Sequence, residues 1–396
     1  MNVRIVKISD VYSGLYDGPH ATPPVSESGA VFLGISNITK NGHIDFSNIK
    51  YISEEDLPKW TKRVTPKAGD IVFSYEATLN LYAIIPEGFW GCLGRRMALI
   101  RPDESKALGK YLYYYFFSDE WRATIAKNTI TGATVDRIPI AKFPEFPISL
   151  PSIEYQKRIV DALSAYDDLI ENNQKQIKLL DEAAQRLYKE WFVDLRFPGY
   201  EDVQIVDGVP EGWFEKSMDE IADYLNGYAF KPSDWGERGK PIIKIKELNE
   251  GVTKDTPRNS GDSIPKKYTI YSGDIVFSWS ATLTAKIWDA EEGLLNQHLF
   301  KVTPNKGICR EYVLQSILKT LDEFSYLTTG STMKHIQRGK LKQVFVKVPT
   351  QDIMNKFEVL ANTYREQILT LKHQLILIQE ARDRLLPKLM SGEIEL

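Results

Sequence analysis

The sequence predicts an α+β protein built as an internal repeat: two strand-rich globules, each followed by one long helix. Three observations carry this. A heptad seam runs through residues 151–197, the same seam returns 198 residues later, and an eleven-residue strand motif recurs at an offset of 204.

The first globule spans 1–150. Val31–Ile38 alternates as a half-buried strand and aligns with Pro241–Leu248. Gly69–Leu79 reads GDIVFSYEATL and Gly273–Leu283 reads GDIVFSWSATL, with nine of eleven positions identical. A Gly-Asp turn followed by an apolar β-branched run and a small-residue bend predicts a buried strand closed by a second turn. Gly91-Cys92-Leu93-Gly94-Arg95-Arg96-Met97 aligns with Gly293-Leu294-Leu295-Asn296-Gln297-His298-Leu299. One helical passage, Lys110–Ala126, is matched by Arg310–Phe324, and Thr131–Thr134 by Thr329–Thr332. A last strand precedes each long helix. The offset drifts from 213 to 198 along the copy, as it does when loops change length and the scaffold does not.

The first long helix takes 151–197. Its seam steps by four and three: Ile159, Leu163, Tyr166, Ile170, Asn173, Ile177, Leu180, Ala184, Leu187 and Trp191. Such spacing hides a narrow stripe against another helix. Pro151-Ser152 forms a capped start, and Pro198-Gly199 prevents continuation. The second globule fills 198–348 and the second helix 349–396. Its seam is Phe357, Ala361, Tyr364, Ile368, Leu371, Leu375, Ile378, Arg382, Leu385 and Leu389. Arg382 alone needs its stem laid along the surface. Asn173 reads either as a register-fixing seam asparagine or, more simply since Leu371 holds the equivalent place, as polarity tolerated at an exposed edge. Shared register makes the two helices natural partners, and the plan is domain, helix, domain, helix.

Composition narrows the function. The chain has 50 Lys+Arg against 53 Asp+Glu and a net charge of −3, which argues against a histone-like protein. No apolar run approaches the roughly 18 residues that span a bilayer, so no membrane role is expected. Two cysteines without metal spacing point to a reducing cytoplasm. Catalytic signatures are missing: no P-loop, dinucleotide glycine fingerprint, HExxH, nucleophile elbow or Asn/Asp-Pro-Pro methyltransferase motif occurs. Asp103-Glu104-Ser105-Lys106 has a nuclease-like flavour but reads better as a solvated loop. We therefore expect a chain that is not an enzyme, with no catalytic residue, metal site or cofactor of its own.

Basic clusters remain. From Phe324 to Gln351 no acidic residue occurs, while Lys334, Arg338, Lys340, Lys342 and Lys347 are cationic, a candidate phosphate-contacting edge and equally an ordinary solvated one. Lys127, Arg137 and Lys142 form a thinner counterpart. Arg95/Arg96 against Gln297/His298 is more pointed. The frame is kept while guanidinium gives way to amide and imidazole; Arg suits guanine and Gln suits adenine in the major groove. The same residues also suit structural hydrogen bonding.

Two variable globules, each followed by a long helix of shared register, resemble the specificity (S) subunit of type I restriction-modification systems. The resemblance rests on PSIEYQKRIVDALSAYDDLIENN, the EAAQRLYKEWFVDLRFPG exit, Val209-Pro210-Glu211-Gly212-Trp213 and the terminal RDRLLPKLMSGEIEL. The first globule lacks that Pro-Glu-Gly-Trp lead-in and starts with Ile8 as the equivalent of Ile221. The resemblance implies two target recognition domains, each binding one half of a bipartite, asymmetric site on double-stranded DNA. It implies two conserved helices packed as an antiparallel coiled coil with pseudo-twofold symmetry, docking two methyltransferase (M) subunits. S-adenosylmethionine, ATP and magnesium would belong to the M and restriction (R) subunits. A non-catalytic scaffold whose globules bind other ligands is the alternative.

Overall fold

In a computed structural model, described over residues 3–132, 135–280, 282–326 and 338–396 (backbone only at 325, 326 and 338), both Gly-Asp turns lead into fully buried strands. Gly69 and Gly273 hold φ of 85° and 98°, left-handed values that favour glycine. Ala133, Thr134, Ala281 and 327–337 lie outside the described residues, and with them the Thr-Gly repeat in part, the Thr329–Thr332 match and Lys334.

The chain divides into two units. The first holds 1–172 with 375–396, and the second 173–374. Unit 1 contains β1 Val3–Lys7, β2 Tyr12–Asp17, β3 Ala30–Leu33, β4 Lys50–Ile52, the single turn α1 Leu57–Trp60, β5 Ile71–Ser74, β6 Tyr82–Ile84, β7 Gly91–Leu93 and β8 Met97–Pro102. Then follow α2 Gly109–Tyr115, α3 Asp119–Asn128, β9 Pro147–Pro151 and the first part of α4 Ile153–Tyr188. The strands form an antiparallel sheet β2-β8-β5-β6, a mixed sheet β4-β3-β7 in which β3 and β7 run parallel, and the pair β1-β9.

Unit 2 opens with the rest of α4 and the hairpin β10 Ile205–Val206 and β11 Val209–Pro210, then builds a second globule of similar plan. It contains β12 Phe214–Ser217, α5 Met218–Ile221, β13 Ala222–Asn226, β14 Lys240–Ile243, α6 Ile245–Glu250, β15 Arg258–Asn259, β16 Thr269–Ile270, β17 Ile275–Ser278, β18 Thr284–Ile287, β19 Gly293–Leu295 and β20 Leu299–Pro304. α7 Arg310–Lys319, α8 Leu321–Tyr326, β21 Phe345–Val348 and the first part of α9 Gln351–Ser391 complete it. Its sheet β13-β20-β17-β18 and pair β12-β21 match those of unit 1, while β15-β14-β19-β16 keeps the parallel central pair and adds a fourth strand, β16, beside β19.

Two expectations need correction. Each single helical passage is two helices. Ser118 caps α3 by accepting from Trp121 N at 3.2 Å, which turns the chain after Phe117, and Thr320 separates α7 from α8. Lys7 pairs with Pro147 and Ser217 with Phe345, so Ile8 corresponds to Met218 and Val11 to Ile221, three residues from the sequence alignment.

The long helices are as continuous as the seam predicts. α4 has 36 residues, about 54 Å at the helical rise. Ser152 Oγ accepts from Tyr155 N at 3.3 Å at its start. A π turn over Lys189–Val193 and left-handed residues Leu195 and Gly199 end it. In unit 1, Ile159 and Leu163 share a core with Leu389 and Met390, and Arg158 donates to the Leu396 carbonyl at 2.9 Å. In unit 2, Trp191 meets Phe357 with ring centroids 6.0 Å apart, while Asp181 lies 4.0 Å from Arg365. Numbers rise along one helix as they fall along the other, so the pairing is antiparallel within each unit.

Of the apolar seam, Ile159, Leu163, Ile170, Ala184, Trp191, Phe357, Ala361, Ile368 and Leu389 are buried. Tyr166, Ile177, Leu180, Leu187, Tyr364, Leu371, Leu375, Ile378 and Leu385 are half-buried. Fully burying an aliphatic side chain stabilises by about 1.5–3 kcal/mol, so the fully covered positions contribute most. Two polar positions differ from expectation. Asn173 is buried, with Nδ2 unpartnered among the described residues, and is no exposed edge. Arg382 does not merely lie along the surface: its Nη1 donates to Asp167 Oδ1 at 3.0 Å.

Candidate nucleic-acid interface

In unit 1 the turn Gly94–Met97 sits between β7 and β8 and is held from three sides. Gly18 N donates to Met97 O at 2.7 Å, Gly94 N to Leu33 O at 2.7 Å, and Tyr75 N to Arg96 O at 3.0 Å. A Cβ on Gly18 would stand 2.4 Å from the Gly94 carbonyl oxygen, so only glycine allows this approach. Arg96 takes φ 72°, and its Nε lies 3.3 Å from Glu76 Oε1. Ile130 and residues 136–138 are laced to the same place: Ile138 N donates to Tyr75 O, Ala77 N to Asp136 O, and Arg137 exchanges bonds with Ile130.

These links gather residues far apart in sequence. His20, Tyr75, Glu76, Arg95 and Arg96 line a recess of about 120 Å³. Asp17 pairs with Arg63 at 2.5 Å, and His20 Nε2 lies 3.1 Å from the same carboxylate. Burial raises the Tyr75 phenol above its usual range, so it stays a neutral donor. Arg95 and Arg137 are exposed. The guanidiniums of Arg63 and Arg96 thus stand beside the carboxylates of Asp17 and Glu76, with Arg95 in the same recess and the Arg137 backbone alongside. Such a surface offers donors and acceptors together, which base edges require and a uniform cationic face does not provide.

Unit 2 keeps the frame and changes the chemistry. Gly227 N donates to Leu299 O at 3.0 Å, and a Cβ on Gly227 would meet the Asn296 carbonyl at 2.2 Å. The turn closes by Leu299 N donating to Asn296 O at 3.0 Å. Gln297 N donates to Tyr228 O, and Gln297 Nε2 lies 3.5 Å from His298 Nε2. His298 tilts against the Trp279 ring at 6.0 Å between centroids, where unit 1 has Arg96 beside Glu76. Gln297 and His298 are half-buried.

Sequence reasoning missed Glu76, Arg63, His20 and Trp279. A signal existed for two of them. The only two differences in the eleven-residue repeat are Tyr75-Glu76 against Trp279-Ser280, and they fall beside the turn that carries the other divergent pair.

The remaining basic residues lie elsewhere. Lys340 and the exposed Lys342 sit in a helical turn, Arg338–Gln343, that packs on α5 and β12. α5 leads into the Ala222 end of β13, which pairs with Pro304, whereas Gln297 and His298 precede the other end of β20. Six residues of strand, roughly 20 Å, separate the two places. Lys127 and Lys142 line an open groove with Glu120 and Glu145, away from Arg137. Asp103 is bound by Ser105 and Lys106, and Glu104 Oε1 accepts from Gly109 N at 3.0 Å, so this stretch caps α2. Cys92 and Cys309 are buried and free, and burial pushes each thiol up to about 12. No helix among the described residues is long and apolar enough to cross a membrane.

A family model described as the type I restriction modification DNA specificity domain matches residues 26–182 and 210–373. The type I restriction enzyme MjaIX specificity subunit of Methanocaldococcus jannaschii is 26% identical over 378 residues, covering 88% of this chain and 85% of that protein. The HindI specificity subunit of Haemophilus influenzae is 23% identical over 442 residues, covering 92% and 94%. Among solved structures, the S subunit of a type I restriction-modification system from M. genitalium superposes with a TM-score of 0.56 at 15% identity, covering 98% and 96%, and so shares the fold. The chain belongs to the type I restriction-modification DNA specificity family, and as a specificity subunit it is a non-catalytic, DNA-recognising component of such a system.

Proposed function

We propose that each unit reads one half of a split, asymmetric duplex site. Unit 1 uses Arg95, Arg96 and Arg137, and unit 2 uses Gln297 and His298. The observation that carries this reading is divergence inside a preserved frame: both copies hold the turn with the same glycine approach, yet differ where side chains face outward. Arginine reads guanine O6/N7 and glutamine reads adenine N6/N7, so the halves differ in sequence. Lys334, Arg338, Lys340 and Lys342 serve as phosphate contacts, which set affinity rather than sequence. The paired helices hold the two readers apart. One heptad added to both lengthens the spacer by about 10 Å, or roughly three base pairs. Two M subunits dock on the helices and R subunits complete the assembly. S-adenosylmethionine, ATP and magnesium bind those subunits and not this chain.

The test is selection from a random duplex library by this chain together with its methyltransferase, followed by methylation mapping. A split motif whose one half changes in Arg95→Ala while the other persists supports the reading. A single contiguous motif, or no enrichment, overturns it.

A further inference from the structure

Both units dock a short helix on a long one, and the long-helix residue at the docking contact carries opposite charge in the two copies. The correspondence is fixed by matching bonds. Tyr111 Oη donates to Ser149 O at 3.1 Å and Tyr312 Oη to Lys347 O at 2.8 Å, which equates α2 with α7 at an offset of 201. The long helices correspond at 198. Lys110 therefore matches Glu311, Tyr114 matches Gln315, and Asp167 matches Arg365.

In unit 1 the long helix supplies the anion. Asp167 accepts from Tyr114 Oη at 2.6 Å and from Arg382 at 3.0 Å, while Lys110 Nζ reaches Ser164 Oγ at 3.4 Å. In unit 2 the long helix supplies the cation. Arg365 donates to Glu311 through Nε at 3.3 Å and through Nη2 at 3.1 and 3.3 Å, and Gln315 Nε2 also donates to Glu311 at 3.0 Å. Glu311 is 3% exposed and the Arg365 side chain 10%, so neither can turn to water. A buried ion pair adds little net stability over an apolar pair, but removing one partner is expensive. Such a contact discriminates between partners more than it strengthens one.

We propose that this inverted pair is a positional key, which admits each globule only on its own long helix and so fixes the order of the two readers along the chain. Globule 1 placed on the second helix would bring the Lys110 ammonium and Tyr114 phenol to Arg365 and remove its carboxylate. The reverse misplacement sets Glu311 against Asp167, where Arg382 offers partial compensation. Misplacement of globule 1 is therefore the worse error.

The test is a full-length chimera in which residues 4–150 replace 214–348, joined at matching ends of the β1-β9 and β12-β21 pairs. Its second unit should melt about 10 °C below the parent's. Arg365→Asp in the chimera should recover most of that loss, and Arg365→Ala clearly less. A chimera as stable as the parent, or Asp no better than Ala, overturns the key. Should the chimera fail to fold, the parent chain decides: Asp167→Arg should lower its Tm and Lys110→Glu added to it should restore much of the loss, and absence of that restoration overturns the key. These readouts involve no DNA, so their failure leaves the half-site reading standing, and the reverse holds too.

Discussion

The turns Gly94–Met97 and Asn296–Leu299 occupy the same place in two copies of one scaffold. One is an ionic cluster, with Arg96 beside Glu76 and Arg63 beside Asp17; the other is an aromatic and amide cluster, with His298 against Trp279. Beneath them the scaffold contacts agree: glycine against a carbonyl, and the same strand order in the antiparallel sheet. The difference teaches that backbone bonds set where the turn stands, and side chains alone set the chemistry it presents.

The comparison can be strained first at the docking contacts. Arg365→Ala leaves Glu311 buried without its main partner and should destabilise unit 2 by about 3–5 kcal/mol in chemical denaturation. Arg382→Ala in unit 1 removes a less enclosed bond and should cost about 1–2 kcal/mol. Equal losses would mean the two units are docked alike. Next come the seams. Leu163→Ala, fully buried, should cost about 3 kcal/mol, and half-buried Leu180→Ala about 1 kcal/mol.

At the turns the effects are smaller and appear in binding. Arg95→Ala should lose about 1–3 kcal/mol of discrimination at one base pair with the salt slope unchanged; a slope reduced by about one at unaltered specificity would make Arg95 a phosphate contact. Arg96→Gly removes a left-handed non-glycine residue. It should raise thermal stability by up to about 1 kcal/mol while impairing the unit 1 half-site only. His298→Gly gives no such gain, since His298 is not among the positive-φ residues.

The smallest effect concerns pH. Burial raises the Asp181 carboxyl above its usual range, although Arg365 and Lys372 oppose this. A carboxyl raised on folding contributes stability below its unfolded value and loses it as pH rises through the folded one. As pH rises above the ordinary aspartate value of about 4, the Tm of unit 2 should therefore fall more steeply in the parent than in Asp181→Asn.

Much of this was legible in the residues, because periodicity and repetition are local signals. The heptad seam, its partner and the Gly-Asp strands needed only spacing. Long-range pairing was not legible: nothing near Val3–Lys7 says that it pairs with Pro147–Pro151, or that β3 and β7 run parallel. The helix break at Ser118 could have been read, since Ser-Asp-Glu after Phe117 is a capping sequence. Arg365 and Glu311 were hidden because each looks like a surface charge on an amphipathic helix. Only comparison at the 198 offset, where Arg365 replaces Asp167, marks the position. At the turns, the basic residues were visible, but the carboxylates that orient them arrive from other strands.

The glycines under the two turns, Gly18 and Gly227, have a consequence for how such a chain changes over time. Because each clamps a peptide oxygen and no side chain, the side chains above can be exchanged without resetting the mount. A single methyl group added at either glycine would instead unseat the whole turn at once.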